Sequence, residues 1–118
     1  MGLISDLMAL PGVLAAGEYS YRGDRFSYEG QMSPEMARMA SIMCRATHMG
    51  VHMECDMLGV FCPGCGLVPS RGWAVRGPKY SVCVMANVFC FAENASGVMN
   101  AIIKRMHASL DQSSTEMI

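Results

Sequence analysis

The spacing of apolar side chains changes along the chain, and each change marks an element. Leu3, Leu7 and Leu10, with Asp6 among them, recur at helical spacing until Pro11 and Gly12 stop the turn. Val13 to Tyr19 then reads as a strand, and Phe26 and Tyr28 alternate with Arg25, Ser27 and Glu29 in a second. Arg22, Gly23 and Asp24 between them make a hairpin turn. An Arg-Gly-Asp triplet can serve as an adhesion ligand outside cells, but in a chain read as cytoplasmic the turn is a sufficient reason for it.

From Ser33 to Leu58 the period becomes that of one long central helix, rich in methionine at positions 36, 39, 43, 49, 53 and 57. Ser33 suits the N-cap, Pro34 the first helical position, and Glu35 the positive end of the dipole. At about 100° per residue, Met36, Met39, Ala40, Met43, Thr47, Gly50 and Met57 share one broad side, which is predicted to face a core. Glu35, Arg38, Arg45, His52 and Asp56 gather opposite, with Ser41 and His48 at the margin, and should meet water or a partner. Glu54 falls in the apolar sector shortly after Gly50, so the last turn either bends away or leaves that sector partly open.

A Gly- and Pro-rich loop, Gly59 to Ser70, follows and holds Cys62, Pro63, Gly64 and Cys65. Three strands are predicted next: Gly72 to Arg76 around Trp73, Tyr80 to Ala86, and Val88 to Glu93. Gly77-Pro78 makes the first turn and Asn87 the second, where a left-handed residue is tolerated. The unbroken Val, Cys, Met and Phe run of the last two strands implies burial on both faces, as in the interior of a sheet. Asn94 or Ser96 should cap a final helix packed through Val98, Ile102 and Met106. Residues 1–110 are thus read as one domain, and 111–118 as a polar, disordered tail.

Composition narrows the function classes. A chain of 118 residues lies near the small end for a self-sufficient core, and 52% hydrophobic against 16% charged residues is apolar for that size. Some of the 13 methionines should therefore face another subunit, where an unbranched, polarizable side chain packs against imperfect surfaces. A net charge of −1 with scattered basic residues gives no electrostatic footprint for nucleic acid. The uncharged runs are shorter than the ~20 residues a membrane helix needs, and the first residues lack the basic region of a signal peptide. The expectation is a cytoplasmic protein without nucleic-acid or membrane partners, in which the six cysteines are mostly thiols and Cys83 and Cys90 are buried hydrophobes.

Two constellations could carry chemistry. Cys62-x-x-Cys65 is a dithiol spacing, but Gly66 and Pro69 after it make an activating helix N-terminus there unexpected. On the central helix, Cys44, His48, His52 and Cys55 fall within about 80° of one another. His52, Cys55, Cys62 and Cys65 could then close a four-ligand soft site for zinc or an iron–sulfur cluster. No phosphate loop, nucleophile elbow or paired carboxylates accompany them, so a catalytic role is the minor reading.

The order α-β-β-α-β-β-β-α predicts an α+β sandwich, a five-stranded antiparallel sheet with helices on both faces. That order resembles the roadblock/LC7 (profilin-like) fold. More closely, Leu7-Met8-Ala9-Leu10-Pro11-Gly12-Val13, Ala15-Ala16-Gly17-Glu18, Ser33-Pro34-Glu35-Met36-Ala37, Gly72-Trp73-Ala74-Val75 and Tyr80-Ser81-Val82-Cys83-Val84-Met85 are similar to a roadblock-related family of uncharacterised bacterial proteins, DUF2173. The resemblance spans roughly Leu3 to Met106. It implies pairing through the middle strand edge and the central helix, with no catalytic residues and no cofactor. It also implies scaffold or regulatory work, and for this bacterial family an association with sulfur-oxidising gene clusters. The leading expectation is a non-catalytic homodimeric module that binds another protein through Arg38, Arg45, His48, His52 and Trp73. The alternative is a thiol or metal protein centred on Cys62 and Cys65.

Overall fold

The computed structural model describes residues 2–66 and 68–110, so the predicted tail at 111–118 lies outside the described residues. Helix α1 (Leu3–Met8) leads into strand β1 (Val13–Tyr19), which turns back as β2 (Phe26–Gly30). Helix α2 (Pro34–Phe61) then crosses to β3 (Gly72–Arg76), β4 (Tyr80–Met85) and β5 (Val88–Glu93), and α3 (Val98–Leu110) completes the domain. The five strands form one antiparallel sheet in the order β2-β1-β5-β4-β3. The apolar run of β4 and β5 is therefore interior, and β2 and β3 are the edges.

Alternation along the strands divides two cores. Val88, Cys90 and Ala92 of β5, with Cys83 of β4 and Ala16 of β1, meet Leu7 of α1 and Val98, Ile102 and Met106 of α3. Phe89 of β5, Val84 of β4 and Tyr19 of β1 point to the other face, where α2 lies through Cys44. Gly17 is the cross-strand partner of Phe89, and a Cβ there would collide with the Phe89 ring and the Ser27 carbonyl. Only glycine lets that ring lie flat across β1.

The β1–β2 turn is held by Ser20, which is fully buried. Its hydroxyl accepts from the amides of Asp24 and Arg25 at 3.1 Å each and donates to the Asp24 carboxylate at 2.7 Å. Gly23 supplies the positive φ. The Arg-Gly-Asp triplet thus sits in a turn whose hydrogen bonds come from its neighbour Ser20.

Three expectations are corrected. The side of α2 predicted to enter the core is exposed: Met36 and Met43 keep 56% and 64% of their surface. The residues that face the sheet are Ala37, Ser41 and Cys44, about a third of a turn around the helix. Small side chains win there because the sheet presents Tyr19 and Phe89, and the aromatic rings already fill the space between the layers. Ser41 satisfies its hydroxyl on the Ala37 carbonyl at 2.8 Å. Second, α2 ends at Phe61 rather than Leu58; it runs unbroken through Gly50, and of the two readings left open for Glu54 the exposed sector holds. Third, β4 stops at Met85, and the left-handed residue of the β4–β5 turn is Ala86 rather than Asn87. Asn87 instead donates its side-chain amide to the Tyr19 carbonyl at 2.8 Å. Asn94 likewise does not cap α3; its amide donates to the Gly77 carbonyl and its side-chain oxygen accepts from Ser81, closing the β3–β4 turn.

Candidate functional site

Helix α2 is the element most exposed in apolar character. Its 28 residues span about 42 Å, roughly twice the longest strand, and its buried positions all fall in the first half. Ser33 caps it, accepting from the Met36 amide at 3.1 Å, with Pro34 in the first turn. Because only small residues touch the sheet, clefts open on both flanks of the helix.

The first cleft, of about 680 Å³, lies between α2 and the β3 side of the sheet. Met36, Met39 and Met43 form its helical wall, and Trp73, Val75 and Tyr80 its sheet wall. Trp73 and Val75 stand on β3, which pairs only with β4 and leaves its outer backbone edge open. The Trp73 Nε1 is buried and meets no acceptor among the described residues. An indole N–H in that state carries an uncompensated desolvation cost of about 1–3 kcal/mol.

The second cleft, of about 600 Å³, lies on the opposite flank and includes Tyr21, His48, His52 and Ser70 among its lining. The rings of Tyr21 and His48 tilt together with centroids 6.4 Å apart. Burial lowers the His48 pKa and holds the ring neutral, with the neighbouring His52 adding to the effect. Its Nδ1 is buried without a partner among the described residues. His52 is oriented from both sides, by Ser70 Oγ at 3.1 Å from Nδ1 and by Asp56 at 3.7 Å from Nε2.

The remaining expected contacts take different roles. Arg38 is exposed and pairs with Glu35 at 3.1 Å along the helix. Arg45 is half-buried and donates through Nε to the Tyr21 carbonyl, so it ties α2 to the β1–β2 turn. Cys62 and Cys65 are joined as a disulfide, while Cys44, Cys55, Cys83 and Cys90 are free. Cys62 is the C-cap of α2. The helix dipole there presents its negative end, which disfavours a thiolate, the reverse of the arrangement that activates a dithiol. His52, Cys55, Cys62 and Cys65 do not converge: among the described residues, no three His, Cys, Asp or Glu side chains are grouped to hold a metal ion.

Similarity to known proteins follows the same outline as the fold. The family described as "Uncharacterized conserved protein (DUF2173)" matches residues 3–108. The chain belongs to the DUF2173 family. Among solved structures, the Roadblock/LC7 domain from Streptomyces avermitilis superposes with a TM-score of 0.55 at 18% identity, covering 92% of this chain and 95% of that one. That likeness establishes a roadblock/LC7 fold for the DUF2173 chain. No curated protein sequence matches it significantly.

No helix among the described residues of this DUF2173 protein is long and apolar enough to cross a membrane. Arg38, His48, His52 and Trp73, named from the sequence, all lie on α2 or beside it, but on two different flanks. Sequence reasoning missed Val75 and Tyr80 as the other wall of the methionine groove. The alternation of β3 could have found Val75, since Trp73 and Val75 share one face of a strand.

Proposed function

We propose that the protein is a non-catalytic, cytoplasmic interaction module that pairs with a second copy of itself and binds another protein. One observation carries the pairing: the exposed methionine face of α2 is continuous with an open strand edge. Met36, Met39 and Met43 wall one side of the groove and the β3 residues Trp73 and Val75 the other. Two copies related by a twofold axis cover both features at once, since each edge and each helix flank meets its own counterpart. Methionine suits that role because its thioether adapts to the facing surface. The unpartnered Trp73 Nε1 gains an acceptor from the second copy. The reading needs no cofactor and no catalytic residue.

Arg38, His48 and His52 on the other flank of α2 are the contacts we assign to a further protein, with Arg45 positioning the helix. We further propose that this partner belongs to a bacterial sulfur-oxidation or redox system, a reading supported only by the association that the family resemblance implies. The experiment is amide hydrogen exchange on β3 as a function of protein concentration. Protection at Trp73 to Arg76 that rises with concentration supports the pairing, and protection independent of concentration removes it.

A further inference from the structure

Pairing along β3 leaves the other edge of the sheet open, and a small pocket rimmed by arginine adjoins that edge. Strand β2 is outermost there, and all its residues but the half-buried Tyr28 are exposed. The Ser20 amide donates to the Arg25 carbonyl and the Gln31 amide to the Leu14 carbonyl, at 2.9 Å each. Odd-numbered residues therefore pair with β1, and Phe26 and Tyr28 turn their N–H and C=O groups outward. The same two residues lie opposite Tyr19 and Gly17, so their rings share the α2 face of the sheet, stacked with centroids 6.4 Å apart. Between this hairpin and α2 lies a pocket of about 170 Å³, with Asp24, Arg25, Phe26, Arg38 and Ile42 in its lining.

Charge around the pocket is unbalanced. Arg22 and Arg25 of the turn and Arg38 and Arg45 of α2 gather with Asp24 and Glu35, four guanidiniums against two carboxylates. Asp24 meets Arg22 and Arg25 at 3.9 Å each, Glu35 meets Arg38 at 3.1 Å, and all five side chains are more than half exposed. Exposed pairs of that kind hold weakly and can exchange partners. Arg45 donates to a neutral acceptor, the Tyr21 carbonyl, which leaves its charge uncancelled. The hairpin's other carboxylates, Glu18 and Glu29, stand opposite Val88 and Ala16 of the α1/α3 core and so belong to the other face of the sheet. The positive excess is local to the α2 side of β2.

We propose that the β2 edge takes an extended acidic segment of another protein as an added strand, one of whose carboxylates enters the pocket between Arg25 and Arg38. The outward groups of Phe26 and Tyr28 supply the backbone pairing, and apolar side chains beside the carboxylate meet Phe26 and Ile42. Charge selects the occupant, because a basic segment would meet the uncancelled arginines. The inference rests on the reading of the protein as an interaction module and names what its partner presents. It is separate from the pairing face. Strands β2 and β3 are opposite edges of the sheet, and Arg38 lies about 100–160° around α2 from Met36, Met39 and Met43.

The test uses a fluorescent peptide of about eight residues, with glutamate and valine in turn on one face and threonine on the other. Its counterpart has lysine for glutamate, and a third form is the acidic peptide N-methylated along its central residues. Fluorescence anisotropy is measured with the full chain, with Arg38→Glu and with Arg25→Glu/Arg38→Glu. The acidic peptide should bind saturably and at least about tenfold more tightly than the lysine peptide, a preference that weakens with salt. Arg38→Glu should reduce that preference, the double variant should reverse it, and N-methylation should abolish binding. Both substituted side chains are more than half exposed, so circular dichroism should show unchanged folding. Equal binding of the two peptides, a preference that survives the double reversal, or undiminished binding of the N-methylated form overturns the proposal. So does binding of inorganic phosphate without the acidic peptide, which would make the pocket a simple anion site. Assembly beyond two chains that the double variant abolishes would name a further copy as the occupant, and likewise overturns it. A monomeric Met43→Asp variant that still binds the acidic peptide supports the proposal and separates its fate from that of the pairing face, whereas loss of binding in that monomer overturns it.

Discussion

Replacing Met43 by aspartate tests which surface of α2 is buried, and by what. Within a single chain Met43 is 64% exposed, so a carboxylate there meets water and should change monomer stability by no more than about 0.5 kcal/mol. In the proposed pair the same position is covered. Full burial of a methionine side chain is worth about 1.5–3 kcal/mol, and about two-thirds of it remains to be buried, giving roughly 1–2 kcal/mol per copy. Two copies lose roughly 2–4 kcal/mol, and each aspartate desolvated without a partner adds about 1–3 kcal/mol or more. The sum is at least about 4 kcal/mol, or roughly a thousandfold in the dissociation constant. Size-exclusion chromatography with light scattering should therefore show the variant as a monomer, with a cooperative melt. Two results would refute the reasoning: a variant that still pairs with unchanged affinity, or one that unfolds outright as a monomer. The second would mean that the methionine face is core after all.

Other consequences follow from particular contacts. Gly17→Ala should cost roughly 1–3 kcal/mol in chemical denaturation, at the upper end because the Ser27 carbonyl, unlike the Phe89 ring, cannot rotate away; an unchanged midpoint would contradict the packing of that ring. Burial depresses the His48 pKa below its unfolded value, so the unfolded chain binds the proton more readily and stability falls as pH drops below about 6.5. His48→Phe should flatten that limb of the stability profile, and an unaltered profile would place the titration elsewhere. Burial pushes the thiols of Cys44 and Cys90 up to about 11 and about 12. Iodoacetamide on the folded, unreduced protein should consequently modify Cys55 alone among Cys44, Cys55, Cys83 and Cys90, as read by peptide mass spectrometry.

The strands were legible because period-two alternation and Gly or Pro punctuation agree there. Val13–Tyr19, Gly72–Arg76 and Val88–Glu93 stand where the pattern puts them. Helix α3 was equally plain, since Val98, Ile102 and Met106 are large, apolar and buried. On α2 the same logic pointed to the wrong side. A hydrophobicity pattern weights methionine above alanine, serine and cysteine, whereas a sheet face already filled by Tyr19 and Phe89 admits only the small residues. The misplaced stripe is the one the proposed pairing uses: a helix whose largest apolar residues avoid its own core has them available for something else. The turn at Ala86 was illegible for a local reason. Asn87 is the residue that tolerates a left-handed backbone best, yet its side chain is needed on the Tyr19 carbonyl, and the neighbouring alanine takes the positive φ. The pattern along one element also says nothing of which cleft it shares with another, so His48 of α2 and Trp73 of β3 are expected together although they line separate clefts.

The central claim is that this chain completes itself against a copy of itself, along the β3 edge and the methionine face of α2. Sedimentation equilibrium of the unmodified protein across the micromolar range tests it most directly. A reversible monomer–dimer equilibrium, reaching twice the chain mass and lost in Met43→Asp, is the predicted result. A single species at the mass of one chain over the whole range would contradict it.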